Sequence, residues 1–302
     1  MTTFDENQPI RVVEPLRVKY VVARMSEVLG ANHKLMGVDK IWKRTKGAGV
    51  KIAVLDTGVP NHPDLRVAGG KSFIKGYYND LNGHACHIGG ILAAIEGNGI
   101  GIAGIAPEAD VYYGAVLGAD GAGSIKQISD GIRWAVDEVG ADIINMSLGI
   151  ADTPFEFRSL RSACDYAAEQ GVSIFAAAGN EAGNVGQPAR YPSTISVGAV
   201  SKKLKHPKFS NTGATVDFVS VGVDVYSTWL NGRYCCLDGT SMATPAVAGF
   251  GALLVADARL RGEELKFEAL KAKLVETARD IGDPGKDFVF GFGIPVANEE
   301  NV

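Results

Sequence analysis

Asp238-Gly239-Thr240-Ser241-Met242-Ala243-Thr244-Pro245 places a serine in a glycine turn that leads into small apolar residues suited to a helix start. Such a turn exposes a hydroxyl, and a helix N-terminus favours negative charge developing beside it. A serine hydroxyl is barely ionised at neutral pH, so a nucleophile of this kind needs a base. Three upstream segments carry residue types that could serve it. They are Asp56-Thr57-Gly58, Asn82-Gly83-His84-Ala85-Cys86-His87-Ile88-Gly89-Gly90, and Ala176-Ala177-Ala178-Gly179-Asn180-Glu181. Each has an ordinary structural reading as a turn cap, a structural histidine or a turn asparagine. Together they offer an acid, an imidazole, an amide donor and a hydroxyl, which is the set that nucleophilic acyl transfer requires.

The elements that must position these residues follow from periodicity. From Val50 onward, short apolar runs alternate with helical segments. Val50–Leu55, Val111–Val116, Ile143–Met146, Val172–Ala178 and Thr194–Val200 read as buried strands. Gly90–Ile95, Ile125–Glu138, Phe157–Gln170, Thr244–Leu260 and Leu265–Ala278 read as helices, and Ser26–Trp42 as one or two short ones. This alternation predicts an α/β fold, a mostly parallel sheet with helices on both faces. In such sheets function gathers at the carboxyl ends of strands. Asp56 and Asn180 each follow a predicted strand.

With 302 residues, 46% hydrophobic and 21% charged, the chain can bury one large core. The longest apolar-and-glycine run, Ala246–Ala256, is too short for a bilayer, so no membrane partner is expected. The first eight residues have neither a basic n-region nor an apolar h-region. With four cysteines, two of them adjacent and none in a CxxC spacing, this predicts reduced thiols in a cytoplasmic protein. Residues 1–51 carry ten Lys/Arg against five Asp/Glu, or +5, which leaves −9 on the remainder of a chain of net charge −4. A basic N-terminal segment could dock on an acidic body, and no basic cluster is dense enough for nucleic acid.

In the order Asp56, His84, Asn180, Ser241 these motifs resemble the subtilisin-like serine proteases. Gly104-Ile105-Ala106-Pro107, Leu117-Gly118-Ala119-Asp120-Gly121, Ile144-Asn145-Met146-Ser147-Leu148-Gly149 and Phe290-Gly291-Phe292-Gly293 extend the likeness over roughly residues 36–296. The resemblance implies a three-layer subtilisin-like fold and a serine endopeptidase acting on peptides or proteins. It makes Ser241 the nucleophile, His84 the base, Asp56 its orienting carboxylate and Asn180 the oxyanion donor. Substrate would add as a strand between Gly121-Ala122-Gly123 and Ser147-Leu148-Gly149. Gly186 would floor the specificity pocket, Glu181 its rim, and Leu237 would touch the leaving-group side. Calcium is implied at Asp64, with Asn98 and the carbonyls of Ile100 and Ile102.

Met36-Gly37-Val38, Trp42-Lys43 and Lys46-Gly47-Ala48-Gly49 are most similar to intracellular subtilisins, which are often dimers. That likeness divides the chain into an N-terminal extension, 1–25, and a peptidase domain, 26–302. Val13, Glu14, Pro15 and Leu16 would cross the active site, with Pro15 resisting cleavage. Ala85 and Cys86 depart from the family's His-Gly-Thr-His. They leave open an alternative, a subtilisin-fold protein of reduced activity that binds peptides or regulates a partner. An esterase using the same triad is a further alternative. A thiol at Cys86 beside the base predicts inhibition by thiol reagents, and His84, Cys86 and His87 also allow a metal reading.

Overall fold

A computed structural model describes residues 9–11, 21–22 and 26–298. The N-terminal strands are β1 (Pro9–Arg11), β2 (Val21–Val22) and β3 (Val28–Leu29), followed by short helices α1 (Ala31–Met36) and α2 (Val38–Ile41). Next come β4 (Lys51–Asp56), β5 (Gly69–Ser72), α3 (His84–Ala93), β6 (Ile102–Ala103), β7 (Asp110–Ala115), β8 (Ala122–Ser124) and α4 (Ile125–Trp134). Then follow β9 (Ile143–Met146), α5 (Arg158–Glu169), β10 (Ser173–Ala177), β11 (Thr194–Val200) and β12 (Phe218–Val221). The chain closes with a hairpin, β13 (Val225–Trp229) and β14 (Arg233–Leu237), then α6 (Thr240–Leu260), α7 (Phe267–Thr277) and a last small pair, β15 (Ala278–Arg279) with β16 (Ile294–Pro295).

Seven strands form one parallel sheet in the order β12-β11-β10-β9-β4-β7-β5. The chain starts at β4 in mid-sheet, builds out to β5, and then crosses to β9 on the other side. That crossover is the switch point at which parallel sheets open a crevice. The helices sandwich the sheet. A Cβ added at Gly251 of α6 would meet Phe175 and Ile143, whereas one at Gly131 of α4 would meet Leu55 and Val116. Ile143 pairs with Ile52, three residues from Leu55, so the strand alternation sends the two to opposite faces. The α/β layering matches the expected subtilisin-like arrangement; β4, β7, β9, β10 and β11 are the strands that apolar runs marked, whereas the buried β12 and the edge strand β5 were not read from the sequence.

Two helices begin earlier than their sequence pattern suggests. Helix α3 starts at His84 rather than Gly90 and is buried throughout, so no amphipathic stripe announces it. Helix α6 starts at Thr240 rather than Thr244 and carries Pro245 inside it. Proline lacks the N–H that would bond the carbonyl four residues back, here Ser241. Instead the Ser147 hydroxyl donates to that carbonyl at 2.8 Å. At 21 residues α6 is long and apolar enough to cross a membrane by length and composition, but its apolar stretch is wholly buried within the fold.

Candidate active site

Asp56 ends β4 and His84 opens α3, on neighbouring elements. The His84 Nδ1 lies 2.8 and 2.9 Å from the two Asp56 oxygens, with both side chains at most 1% exposed. A carboxylate only accepts, so Nδ1 carries the proton and Nε2 is left with a lone pair. That Nε2 is buried and, among the described residues, has no hydrogen-bond partner. Burial works against the charged imidazolium, but the Asp56 and Asp80 carboxylates together outweigh it and hold His84 above the ordinary histidine value.

The turn before α3 is made by Gly83 at φ 100°, where a Cβ would meet the Trp229 ring at 2.8 Å. Gly239 does the same for α6 at φ 151°. Ser241 is therefore the second residue of α6, in the turn whose N–H groups have no intrahelical acceptor. The Ser241 hydroxyl donates to the Ser147 carbonyl at 3.0 Å, turned to the strand end rather than to His84. Ser147 thus grips Ser241 twice, through its own hydroxyl and its carbonyl, and Asn145 Nδ2 donates to the Ser147 hydroxyl at 3.0 Å.

Asn180 sits just past β10. Its Oδ1 accepts both the Thr240 N–H and the Thr240 hydroxyl at 2.9 Å. A backbone N–H can only donate, which fixes the amide orientation and directs Nδ2 away from Thr240.

The two proposed substrate segments are present as backbone edges. Gly118 to Ala122 closes a turn into β8, and β1 pairs antiparallel with it, Ile10 opposite Gly123 and Arg11 opposite Ala122. An extended segment of this chain therefore lies where a peptide was expected to add. Strand β2 pairs with β14, Val22 opposite Tyr234, just upstream of the serine turn. Val13, Glu14, Pro15 and Leu16 lie between these two contacts but outside the described residues.

Ile150 and Gln187 exchange backbone bonds of 2.7 and 2.9 Å, and a Cβ at Gly186 would stand 2.1 Å from the Ile150 carbonyl. Only glycine fits beside that bridge. Glu181 is exposed at the rim, with Oε2 accepting from Asn211 at 2.7 Å. Leu148 and Gly149 are buried after β9. Leu237 departs from expectation: it is 0% exposed and enters the hydrophobic core, because β14 turns that face inward.

Cys86 departs as well. Its side chain is 1% exposed and burial pushes its thiol up to about 12, so it is neither accessible nor ionised for a thiol reagent. The metal reading of this segment also fails. His87 donates to the Val225 carbonyl at 3.1 Å, and burial holds it down at about 3. Among the described residues no cluster of three His, Cys, Asp or Glu could hold a metal.

Asp64 is fully buried, as the calcium reading needs. Its oxygens accept from Asn98 Nδ2 (2.6 Å), the Ile102 N–H (3.1 Å) and the Tyr234 hydroxyl (3.2 Å). Glu27, which the sequence did not flag, accepts from the N–H groups of Gly97 and Gly99 in the same loop. Asp80 was missed too, although an aspartate two residues before Asn82-Gly83 is a turn-capping signature.

The subtilase family model matches residues 47–293. Subtilisin Savinase of Lederbergia lenta is 45% identical over 211 residues, 69% of this chain and 77% of that protein. Subtilisin DY of Bacillus licheniformis is 39% identical over 269 residues, 86% of this chain and 94% of that protein. Alkaline elastase YaB of Bacillus sp. (strain YaB) is 42% identical over 251 residues, 82% of this chain and 63% of that protein. A match spanning the sheet, both helix layers and every segment that meets at the crevice leaves one assignment: the chain belongs to the subtilase family and is a serine endopeptidase.

Proposed function

We propose that Asp56, His84 and Ser241 form the triad of this endopeptidase and that Asn180 completes its oxyanion hole. The observation that carries the reading is the buried His84 imidazole, held on Asp56 through Nδ1, with Nε2 left without a partner among the described residues. In the reaction the Ser241 hydroxyl turns from the Ser147 carbonyl to His84 Nε2, gives up its proton and attacks the scissile carbonyl carbon. Asn180 Nδ2 and the Ser241 N–H take the oxyanion. His84 then protonates the leaving amine, and water repeats the sequence on the acyl-enzyme. Asp56 stays ionised and stabilises the imidazolium.

The N-terminal segment is read as a self-inhibitory strap. Support comes from β1 on β8 and β2 on β14, two anchor points either side of the segment that carries Pro15. Removing residues 1–25 is expected to raise turnover of a peptide library severalfold or more, with the cleavage pattern unchanged. Equal rates from trimmed and intact protein, with the intact chain verified by mass, would reject the strap.

Calcium is read as a structural ion at Asp64 and Glu27, with Asn98 and the carbonyls of Ile100 and Ile102. The donors are all hard oxygens, and Asp64's partners here are all neutral. Burial lifts the Asp64 carboxyl above the usual range and Glu27 adds repulsion, so a cation would relieve both. When bound it would supply countercharge and tie residues 26–29 to the 97–102 loop. Chelation is expected to lower Tm by about 4 °C, from roughly 2.7 kcal/mol of linkage at a hundredfold excess over Kd. A Tm that ignores chelator in the wild type would sink the assignment.

Cys86, Cys164, Cys235 and Cys236 are all buried and form no disulfide, which supports a reducing location.

A further inference from the structure

Asp80 is a buried carboxylate outside the triad, 6% exposed, and four donors converge on it. Oδ1 accepts from the Thr57 hydroxyl (3.0 Å), the Asn82 N–H (3.1 Å) and the Gly83 N–H (2.8 Å), and Oδ2 from the Cys86 N–H (2.9 Å). Burial lifts the Asp80 carboxyl above the usual range, but every contact is a donor to it, and these bonds favour the carboxylate. Thr57 completes the link. Its hydroxyl accepts from the Ala85 N–H at 3.0 Å, while its own N–H donates to Asp56 Oδ1 at 2.7 Å. Gly83, the residue that caps α3, has no side chain to do this, so Asp80, Thr57 and Asn82 take the N–H groups of the helix start instead, Asn82 Oδ1 accepting from His84 at 3.2 Å. A charge at a helix N-terminus with three N–H groups of the entering turn also meets the helix dipole favourably.

We propose that Asp80 is a positioning residue of the active site: it clamps the first turn of α3, and with it His84, against the Asp56–Thr57 turn. The clamp sets both the distance and the electrostatics of the base. It rests on the assignment of His84 as the base. The other titratable groups around His84 are neutral. Tyr77 on the preceding loop and Tyr113 on β7 are pushed up by burial, as are Cys86 on α3 and Cys235 on β14. His87 on α3 is held down by burial. Asp120 acts on Tyr77 and Asp64 on Cys86, not on His84. Asp56 and Asp80 are thus the two charges that raise the imidazole.

The test uses the full chain. Asp80→Asn removes the charge, and the midpoint at which the downfield Nδ1 proton resonance of His84 titrates is expected to fall by about half a pH unit. The acid limb of kcat/KM should move down with it. In the same variant kcat should drop about 10- to 100-fold with KM little changed, because the base is misplaced. Thr57→Val cuts the link but keeps the charge, so kcat should fall while the midpoint stays. An unchanged midpoint in Asp80→Asn, or wild-type kcat in Thr57→Val, overturns the proposal. The resonance reads His84 whether or not the site turns over, so failure here is distinct from failure of the triad assignment.

Discussion

Replacing Ser241 by alanine is expected to lower peptide hydrolysis by about 10⁶-fold, the order reported for the nucleophile in subtilisin itself. The substitution removes the only atom that forms the acyl bond, and nothing nearby can stand in for it. The Ser147 hydroxyl is already committed to the Ser241 carbonyl and comes from a separate strand end. Residual turnover of about 10³–10⁴ over water should persist from the oxyanion hole and binding. The protein should keep its stability or gain slightly, since the lost bond to the Ser147 carbonyl is a neutral one worth about 1 kcal/mol against a buried hydroxyl. Trimmed protein and a chromogenic peptide amide give the measurement. A loss of less than a hundredfold, or undiminished labelling by a fluorophosphonate, would remove Ser241 from the triad.

Truncating Asn180 to alanine is expected to cost about 10²–10³ in kcat, or roughly 2.7–4 kcal/mol, with KM close to wild type. That figure is the family's own measured range. This structure adds that Asn180 has a second task. Its Oδ1 takes the Thr240 N–H and hydroxyl at the start of the helix that carries the nucleophile. Alanine therefore also strips a cap, at about 1 kcal/mol of stability. Asn180→Asp separates the two. It keeps the acceptor toward Thr240 and removes the donor toward the oxyanion, while adding a charge that repels it. Asn180→Asp should thus melt near wild type yet lose at least as much kcat as Asn180→Ala. If the aspartate variant kept its kcat, Asn180 would be a cap and nothing more.

Much of the sheet was legible because its strands are covered on both faces. Such strands read as nearly continuous apolar runs, and Ile143–Met146 and Thr194–Val200 do so, interrupted only by the buried Asn145, Thr194 and Ser196. The edge strand β5 escaped notice because Gly69-Gly70-Lys71-Ser72 needs no apolar run; its backbone simply completes a ladder beside β7. Helix α3 was placed six residues late for the opposite reason. His84-Ala85-Cys86-His87 is buried all round and shows no periodic stripe. Leu237 and Cys86 were assigned from motif position alone, and motif position does not say which way a strand or helix turns a side chain. Glu27 and Asp80 went unread because their partners are mostly backbone N–H groups, which leave no trace in residue types.

The sequence by itself determined which chemical groups meet: an acid after β4, an imidazole at the head of α3, an amide after β10 and a hydroxyl at the head of α6. Parallel strands in register bring their carboxyl ends together, so motifs placed after strands must converge. Tertiary structure alone decided how each group points. Ser241 faces the carbonyl of Ser147, a residue 94 positions away, and Asn180 is aligned by Thr240, 60 positions away. Asp80 reaches back 23 positions to Thr57. Hydrogen bonds are directional and their partners here come from separate crossovers, so only the packed sheet fixes the angle at which each one is made.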